Sequence, residues 1–200
     1  MAANTPPQIV LASASPSRRM VLNSAGIEPL IRPADIDEDT VRDHLGAASP
    51  QEVVEALAKA KAEAINAEAE EIVIGCDSML LLNGELQGKP HTVEETIRRW
   101  EAQRGQVAEL ITGHCVRSPA GTVSGTTSTK IYFAEVSDAD IRAYAESGEP
   151  WECAGAFTLE ALGGWFIDRI EGDPSSVIGI SLPFIRRVLY DLGYSVSKFW

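Results

Sequence analysis

Ile9-Val10-Leu11-Ala12-Ser13-Ala14-Ser15-Pro16-Ser17-Arg18-Arg19 is the stretch from which the fold is read. Four apolar residues make a short buried strand, and Ser13-Ala14-Ser15-Pro16 turns it into a helix. Ser15 suits the N-cap, Pro16 the first helical position and Gly26 the stop after the last turn. A strand feeding directly into a helix is the repeating step of α/β proteins. The junction also exposes free N–H groups at the positive end of the helix dipole, which suits a phosphate. Arg18 shares the inward face of Val21 and Leu22, three and four residues on, while Arg19 lies to the side. The same pattern also describes a capped helix with solvated arginines.

Working outward, Met1 to Gln8 reads as a loose tail, Glu28 to Arg32 as a second strand and Asp35 to Asp43 as an acidic loop. The clearest helix spans Pro50 to Glu68, capped by Ser49 with Glu52 completing a capping box. Ile72 to Cys76 is a continuous apolar strand ending at Asp77. Met79 to Leu82, Asn83-Gly84 and Glu85-Leu86 then form a hairpin with a type I′ turn. Thr92 and Glu95 make a second capping box, opening a helix to Arg104. Strands are expected over Val107 to Val116, Thr122 to Val136, Phe157 to Glu160 and Trp165 to Glu171. Helices are expected over Asp138 to Ser147, capped by Ser137, and over Pro183 to Leu192. Strands and helices alternate, so the class is α/β.

The 200 residues fit one domain, or one domain with two lobes around a cleft. The 29 acidic and 17 basic residues give a net charge of −12. Broad binding to nucleic acid or to an anionic membrane is therefore disfavoured, because counterion release has no basic surface to act through. A small anion would need a local cluster of Lys and Arg. Cys76, Cys115 and Cys153 fit neither a disulfide framework nor a zinc site, and His44, His91 and His114 share no ligand spacing with them. No apolar stretch is long enough to span a membrane. Ser17-Arg18-Arg19 has a twin-arginine look, but Glu28 and Arg32 interrupt the apolar region an export signal needs. A cytoplasmic protein is expected.

Several side chains stand out as chemistry. Lys61 lies four residues after Leu57 and four before Ile65, inside its helix's apolar stripe. Burying it calls for an anionic partner, unless it snorkels to the stripe's edge. Asp77 is placed beyond the carboxyl end of its strand, where α/β ligands gather. There it suits a metal or a proton from water, or caps a turn. Gly84-Glu85-Leu86-Gln87-Gly88-Lys89-Pro90 is not a P-loop, having three residues between its glycines and Pro90 in the magnesium position. It still places Lys89 at a turn. Glu38 and Glu171-Gly172-Asp173 add hard oxygen ligands, which favour Mg²⁺ or Mn²⁺. Cys76 reads as packing, and so do the four tryptophans, although Trp165 is close to candidate site residues.

Leu11-Ala12-Ser13-Ala14-Ser15-Pro16-Ser17-Arg18, Leu57-Ala58-Lys59-Ala60-Lys61-Ala62, Ile74-Gly75-Cys76-Asp77-Ser78 and Gly88-Lys89-Pro90 occur in the order found in Maf-like proteins. The C-terminal half adds Thr112-Gly113-His114, Ala154-Gly155-Ala156-Phe157, Gly163-Gly164-Trp165-Phe166-Ile167, Glu171-Gly172-Asp173 and Val177-Ile178-Gly179-Ile180-Ser181-Leu182-Pro183. The chain resembles that family over about residues 9 to 190, with variants most like its actinobacterial branch.

The resemblance implies a single Maf-like domain over residues 1 to 200 with an elongated, inosine-triphosphatase-like α/β fold. A central mixed sheet with flanking helices and a cleft between two lobes is expected. It implies a nucleoside triphosphate pyrophosphatase that yields monophosphate and pyrophosphate from a standard or modified nucleotide, a house-cleaning hydrolase. It implies a divalent cation, and a homodimer is allowed. By position, Asp77 matches the proton acceptor, Glu38 and Asp77 the metal-binding acids, and Ser13, Arg18, Lys61 and Lys89 the phosphate-binding set. Ser17, Ser78 and Glu160 occupy the positions that sort substrates. Neither the Arg, Thr, Gln set of the dTTP and UTP branch nor the Trp, Gln, Glu set of the 7-methyl-GTP branch is matched, which leaves the base open. The alternative is a non-catalytic, nucleotide-sensing regulator of septum formation. A nucleotide kinase is disfavoured by the missing P-loop.

Overall fold

A computed structural model describes residues 7–200, so most of the expected N-terminal tail (residues 1–6) lies outside the described part. The chain divides into two compact units. The first comprises the residues up to Asp77, Thr112–Thr127 and Gly179–Trp200, and the second comprises Ser78–Ile111 and Ser128–Ile178.

In the first unit β1 (Gln8–Leu11) feeds α1 (Pro16–Ser24) as the sequence predicts. Ser15 caps α1, its side chain accepting from the Arg18 amide, and Pro16 opens it. β1 pairs in parallel with β2 (Leu30–Ile31) and with β3 (Glu71–Leu82). The second strand is thus only two residues long, confined by Pro29 and Pro33. The expected acidic loop is instead a helix, α2 (Glu38–Leu45), because the Asp37 side chain accepts from the amides of Asp39 and Thr40 and nucleates it. α3 (Pro50–Glu63) starts with the expected capping box but stops five residues early. Here Arg117 donates to the carbonyls of Ala62 (2.5 Å) and Ile65 (3.2 Å), satisfying C-terminal acceptors.

β3 is the main correction. It runs unbroken through Asp77, so this aspartate lies within a 12-residue strand and not beyond its end. The helix α3 approaches β3 at Gly75, where an added Cβ would stand 2.2 Å from the Ala58 carbonyl oxygen. Only glycine permits that approach. β5 (Val107–Ser118) repeats it at Gly113, 2.1 Å from the Val54 carbonyl oxygen by the same measure. Val10, Val73, Ala58, Ala62 and Cys115 fill the core between helix and strands. The part of β6 (Gly121–Phe133) up to Thr127 and the closing helix α7 (Leu182–Asp191), capped by Ser181, complete the unit.

In the second unit the end of β3 pairs antiparallel with β4 (Glu85–Gln87). Asn83 (φ 51°) and Gly84 (φ 83°) form the turn between them, in the left-handed conformations a type I′ turn needs. α4 (Val93–Gln103) begins behind Thr92, but the Glu95 carboxylate goes to Arg98 and Arg99 and the second capping box is only half made. α5 (Asp138–Glu146) follows its Ser137 cap. Phe157–Glu160 forms no strand, and Leu162–Phe166 is a 3-10 turn ahead of β7 (Ile167–Glu171), which pairs antiparallel with β6. The short α6 (Pro174–Ile178) follows. Trp100 centres this core, edge-on to Phe133 and Tyr144, with its indole N–H donating to the Ala156 carbonyl at 2.7 Å. Parallel and antiparallel pairing together make the mixed α/β class that was expected.

Candidate active site

Six of the expected residues lie in the first unit, and contacts join five of them there in two groups, Lys61 with Glu38 and Asp77, and Arg18 with Ser13. Lys61 projects from α3, and its ammonium lies 2.5 Å from Asp77 Oδ1 and 2.7 Å from Glu38 Oε1. The side chain is 13% exposed, so the lysine inside the apolar stripe is a paired one and not a snorkelling one. Glu38 opens α2 and also meets Arg42 at 3.1 Å. Asp77 is buried on β3, and among the described residues its Oδ2 is buried with no hydrogen-bond partner. Burial pushes its carboxyl pKa above the ordinary value, against the pull of the Lys61 ammonium and of Arg18. A carboxylate that holds a proton more tightly than usual, with one oxygen unused, suits proton transfer.

Arg18 is held from two sides. Its Nε donates to the Gly179 carbonyl at 2.9 Å, and its Nη1 to Ser13 Oγ at 3.1 Å. Ser13 Oγ accepts also from the Ser15 amide, which ties the loop to the start of α1. Ser17 follows on α1, half-buried.

The remaining candidates belong to the second unit. Ser78 is half-buried on β3 beside Asp77 in sequence. Lys89 is exposed and pairs with Glu152 at 3.0 Å, and His91 meets the same carboxylate at 3.1 Å. The Glu160 carboxylate accepts from the Leu159 amide at 3.0 Å. Glu171 is taken by Tyr132 and Arg169, and Asp173 by the Ser175 amide. Among the described residues no group of three or more His, Cys, Asp or Glu side chains could hold a metal.

A divalent cation still fits the two-carboxylate site. The orphaned buried Oδ2 of Asp77 and the hard oxygens of Glu38 are the donors such an ion takes, leaving further positions for water and phosphate oxygens. Cys76 is buried and its thiol is pushed up to about 11 by desolvation, which makes it inert packing as expected. An open hollow of about 380 Å³ on the outer side of α1 is lined by Arg19, Met20 and Ile31 among others. It has no carboxylate or lysine in its wall.

Sequence reading missed the supports. Gly75 and Gly179 sit inside apolar runs, and Gly113 between Thr112 and His114, with no local sign of what approaches them. His114 accepts from the Ser181 amide at 2.9 Å, a buried structural bond between β5 and the start of α7.

The profile of the family described as Maf-like protein matches residues 8–192. A Corynebacterium diphtheriae protein named nucleoside triphosphate pyrophosphatase is 64% identical over 193 residues, covering 96% of this chain and 98% of that one. A Nocardia farcinica protein of the same name is 53% identical over 203 residues, covering 96% of each. The solved structure of the Staphylococcus aureus Ham1 protein aligns with a TM-score of 0.41 and 18% identity, covering 64% of this chain and 72% of that one. The chain belongs to the Maf-like protein family.

Proposed function

We propose that Asp77 is the general base of a nucleoside triphosphate pyrophosphatase, with Lys61, Arg18 and Ser13 as its phosphate-binding groups. The activity is that of the relatives at 53% to 64% identity over nearly the whole chain: hydrolysis of a nucleoside triphosphate to the monophosphate and pyrophosphate. The observation that carries the residue assignment is the Lys61 ammonium lying between the carboxylates of Glu38 and Asp77, with Asp77 buried.

In this reading the substrate's phosphate oxygens take up the Lys61 ammonium and the Arg18 guanidinium, which balances their charge. Asp77 then orients a water and accepts its proton while the water oxygen attacks the α-phosphorus and pyrophosphate leaves. A Mg²⁺ or Mn²⁺ ion held by Glu38 and Asp77 would neutralise charge developing on the phosphate oxygens. Lys89 keeps the phosphate role given by the resemblance, and its ion pair with Glu152 opens when it takes that role. Ser17, Ser78 and Glu160 sort the base: a small Ser17 leaves room, and Glu160 accepts hydrogen bonds from an amino group of a purine or cytosine. The protein works in the cytoplasm. Among the described residues, no helix is long and apolar enough to cross a membrane.

The deciding experiment is product analysis on a panel of standard and modified nucleoside triphosphates with Mg²⁺ or Mn²⁺, beside Asp77→Asn. Monophosphate with pyrophosphate, lost in the variant, is expected, and the rate ranking gives the base preference. Orthophosphate with a diphosphate would place the attack elsewhere. Nucleotide binding without turnover of any substrate would favour the sensor of septum formation.

A further inference from the structure

We infer that Gly179 is a positioning residue for Arg18, acting through its carbonyl and through its missing side chain; the inference rests on Arg18 being a phosphate ligand. Gly179 lies 161 residues from Arg18 in sequence, yet its carbonyl oxygen accepts the Arg18 Nε–H at 2.9 Å. Ser13 Oγ takes Nη1 at 3.1 Å from the other side. Two anchors at different edges fix the plane of the guanidinium, so the arginine gives up little rotamer freedom when it takes an anion.

The glycine is required twice. Its φ of +128° is a conformation that L side chains rarely adopt. A Cβ there would stand 3.1 Å from Arg18 Nε and 3.2 Å from Cγ, the middle of the side chain and not its flexible tip. Any other residue therefore presses on the arginine beside its carbonyl anchor, and the side chain must give by a few tenths of an ångström. The segment is tied down just beyond this point, where Ser181 caps α7 and donates its amide to buried His114 at 2.9 Å. The carbonyl thus faces Arg18 from a braced position.

The test measures KM and kcat for a nucleoside triphosphate and inhibition by inorganic tripolyphosphate, which reads phosphate contacts without a base. Arg18→Ala should weaken tripolyphosphate binding about tenfold, as loss of a charged hydrogen-bond donor does. Gly179→Ala should weaken it comparably and raise KM more than it lowers kcat. In an Arg18→Ala background Gly179→Ala should add nothing to the inhibition constant, while its cost in Tm persists. Equal weakening in both backgrounds would overturn the inference. So would unchanged binding in Gly179→Ala alongside a clear loss in Arg18→Ala. Unchanged binding in Arg18→Ala itself would remove the phosphate role of Arg18, and the inference with it. If Gly179→Ala does not fold, Arg18→Lys serves instead, since it keeps the charge and loses the lateral Nε–carbonyl bond. Arg18→Lys is expected to bind tripolyphosphate more weakly than the wild type, and full wild-type binding by Arg18→Lys would overturn the inference.

Discussion

The Lys61 ammonium stands 2.5 Å from Asp77 Oδ1, across the seam where α3 packs on β3. That contact pulls the carboxyl pKa down against the larger upward push of burial. A lysine in a helix's apolar face and an aspartate inside a strand are each costly to bury alone, and together they offset part of that cost.

If Asp77 accepts the proton from water, Asp77→Asn lowers turnover by at least ~10²-fold while the circular dichroism spectrum stays as in the wild type. Near-normal turnover would take Asp77 out of the role.

The pH profile follows from the burial of Asp77. Its folded pKa is raised above 3.8, so the acid limb of kcat/KM should lie above that value. Because the folded chain holds this proton more tightly than the unfolded one, ionising Asp77 costs stability as pH rises above 3.8. Asp77→Asn should therefore gain Tm relative to the wild type with rising pH. A Tm difference that falls with pH would mean that the carboxylate is stabilised in its charged form.

Replacing Lys61 by Met removes the cation between Glu38 and Asp77. The Coulomb attraction that holds the Asp77 pKa down is lost, so the acid limb should move to higher pH and KM for the triphosphate should rise. An unchanged kcat/KM across pH would leave Lys61 a purely structural role.

Gly75→Ala tests whether the site depends on helix approach. Its Cβ would meet the Ala58 carbonyl oxygen at 2.2 Å and the Ala62 amide nitrogen at 2.8 Å, both backbone atoms of α3. The helix must move away, at roughly 1–3 kcal/mol by the usual cost of overpacking, and it carries Lys61 with it. Denaturant unfolding should show the loss, and kcat/KM should fall with it. Full activity at reduced stability would show that the pair tolerates the shift.

A surface pair gives a contrasting pH signature. Glu95 is held down to about 2, chiefly by the hydrogen bond from Arg98, with Arg99 adding to it. Its folded pKa lies below the ordinary 4.5, so the stability it contributes is present above that value and is lost as pH falls toward 2. The Tm of Glu95→Gln should be below the wild type at neutral pH, with the gap closing in acid. A gap independent of pH would point to helix propensity instead of charge.

Much of this molecule is legible from local sequence. Ser15, Ser49 and Ser137 each precede a helix and cap it, because a cap is decided by a hydroxyl two or three residues from the amides it serves. The Asn83-Gly84 turn is local in the same way, and the family motifs single out the candidate site residues. Other features are settled by partners far away in the chain. The apolar run before Asp77 gives no sign that β3 continues through it, since strand ends depend on which neighbours remain to pair. Lys61 in an apolar stripe signals a need for an anion, but Glu38 and Asp77 answer it from 23 and 16 positions away only once α2, α3 and β3 are packed. Gly75 and Gly179 look ordinary in sequence. Their necessity comes from a helix backbone and an arginine pressed against them, and close packing between distant segments exists only in the folded chain.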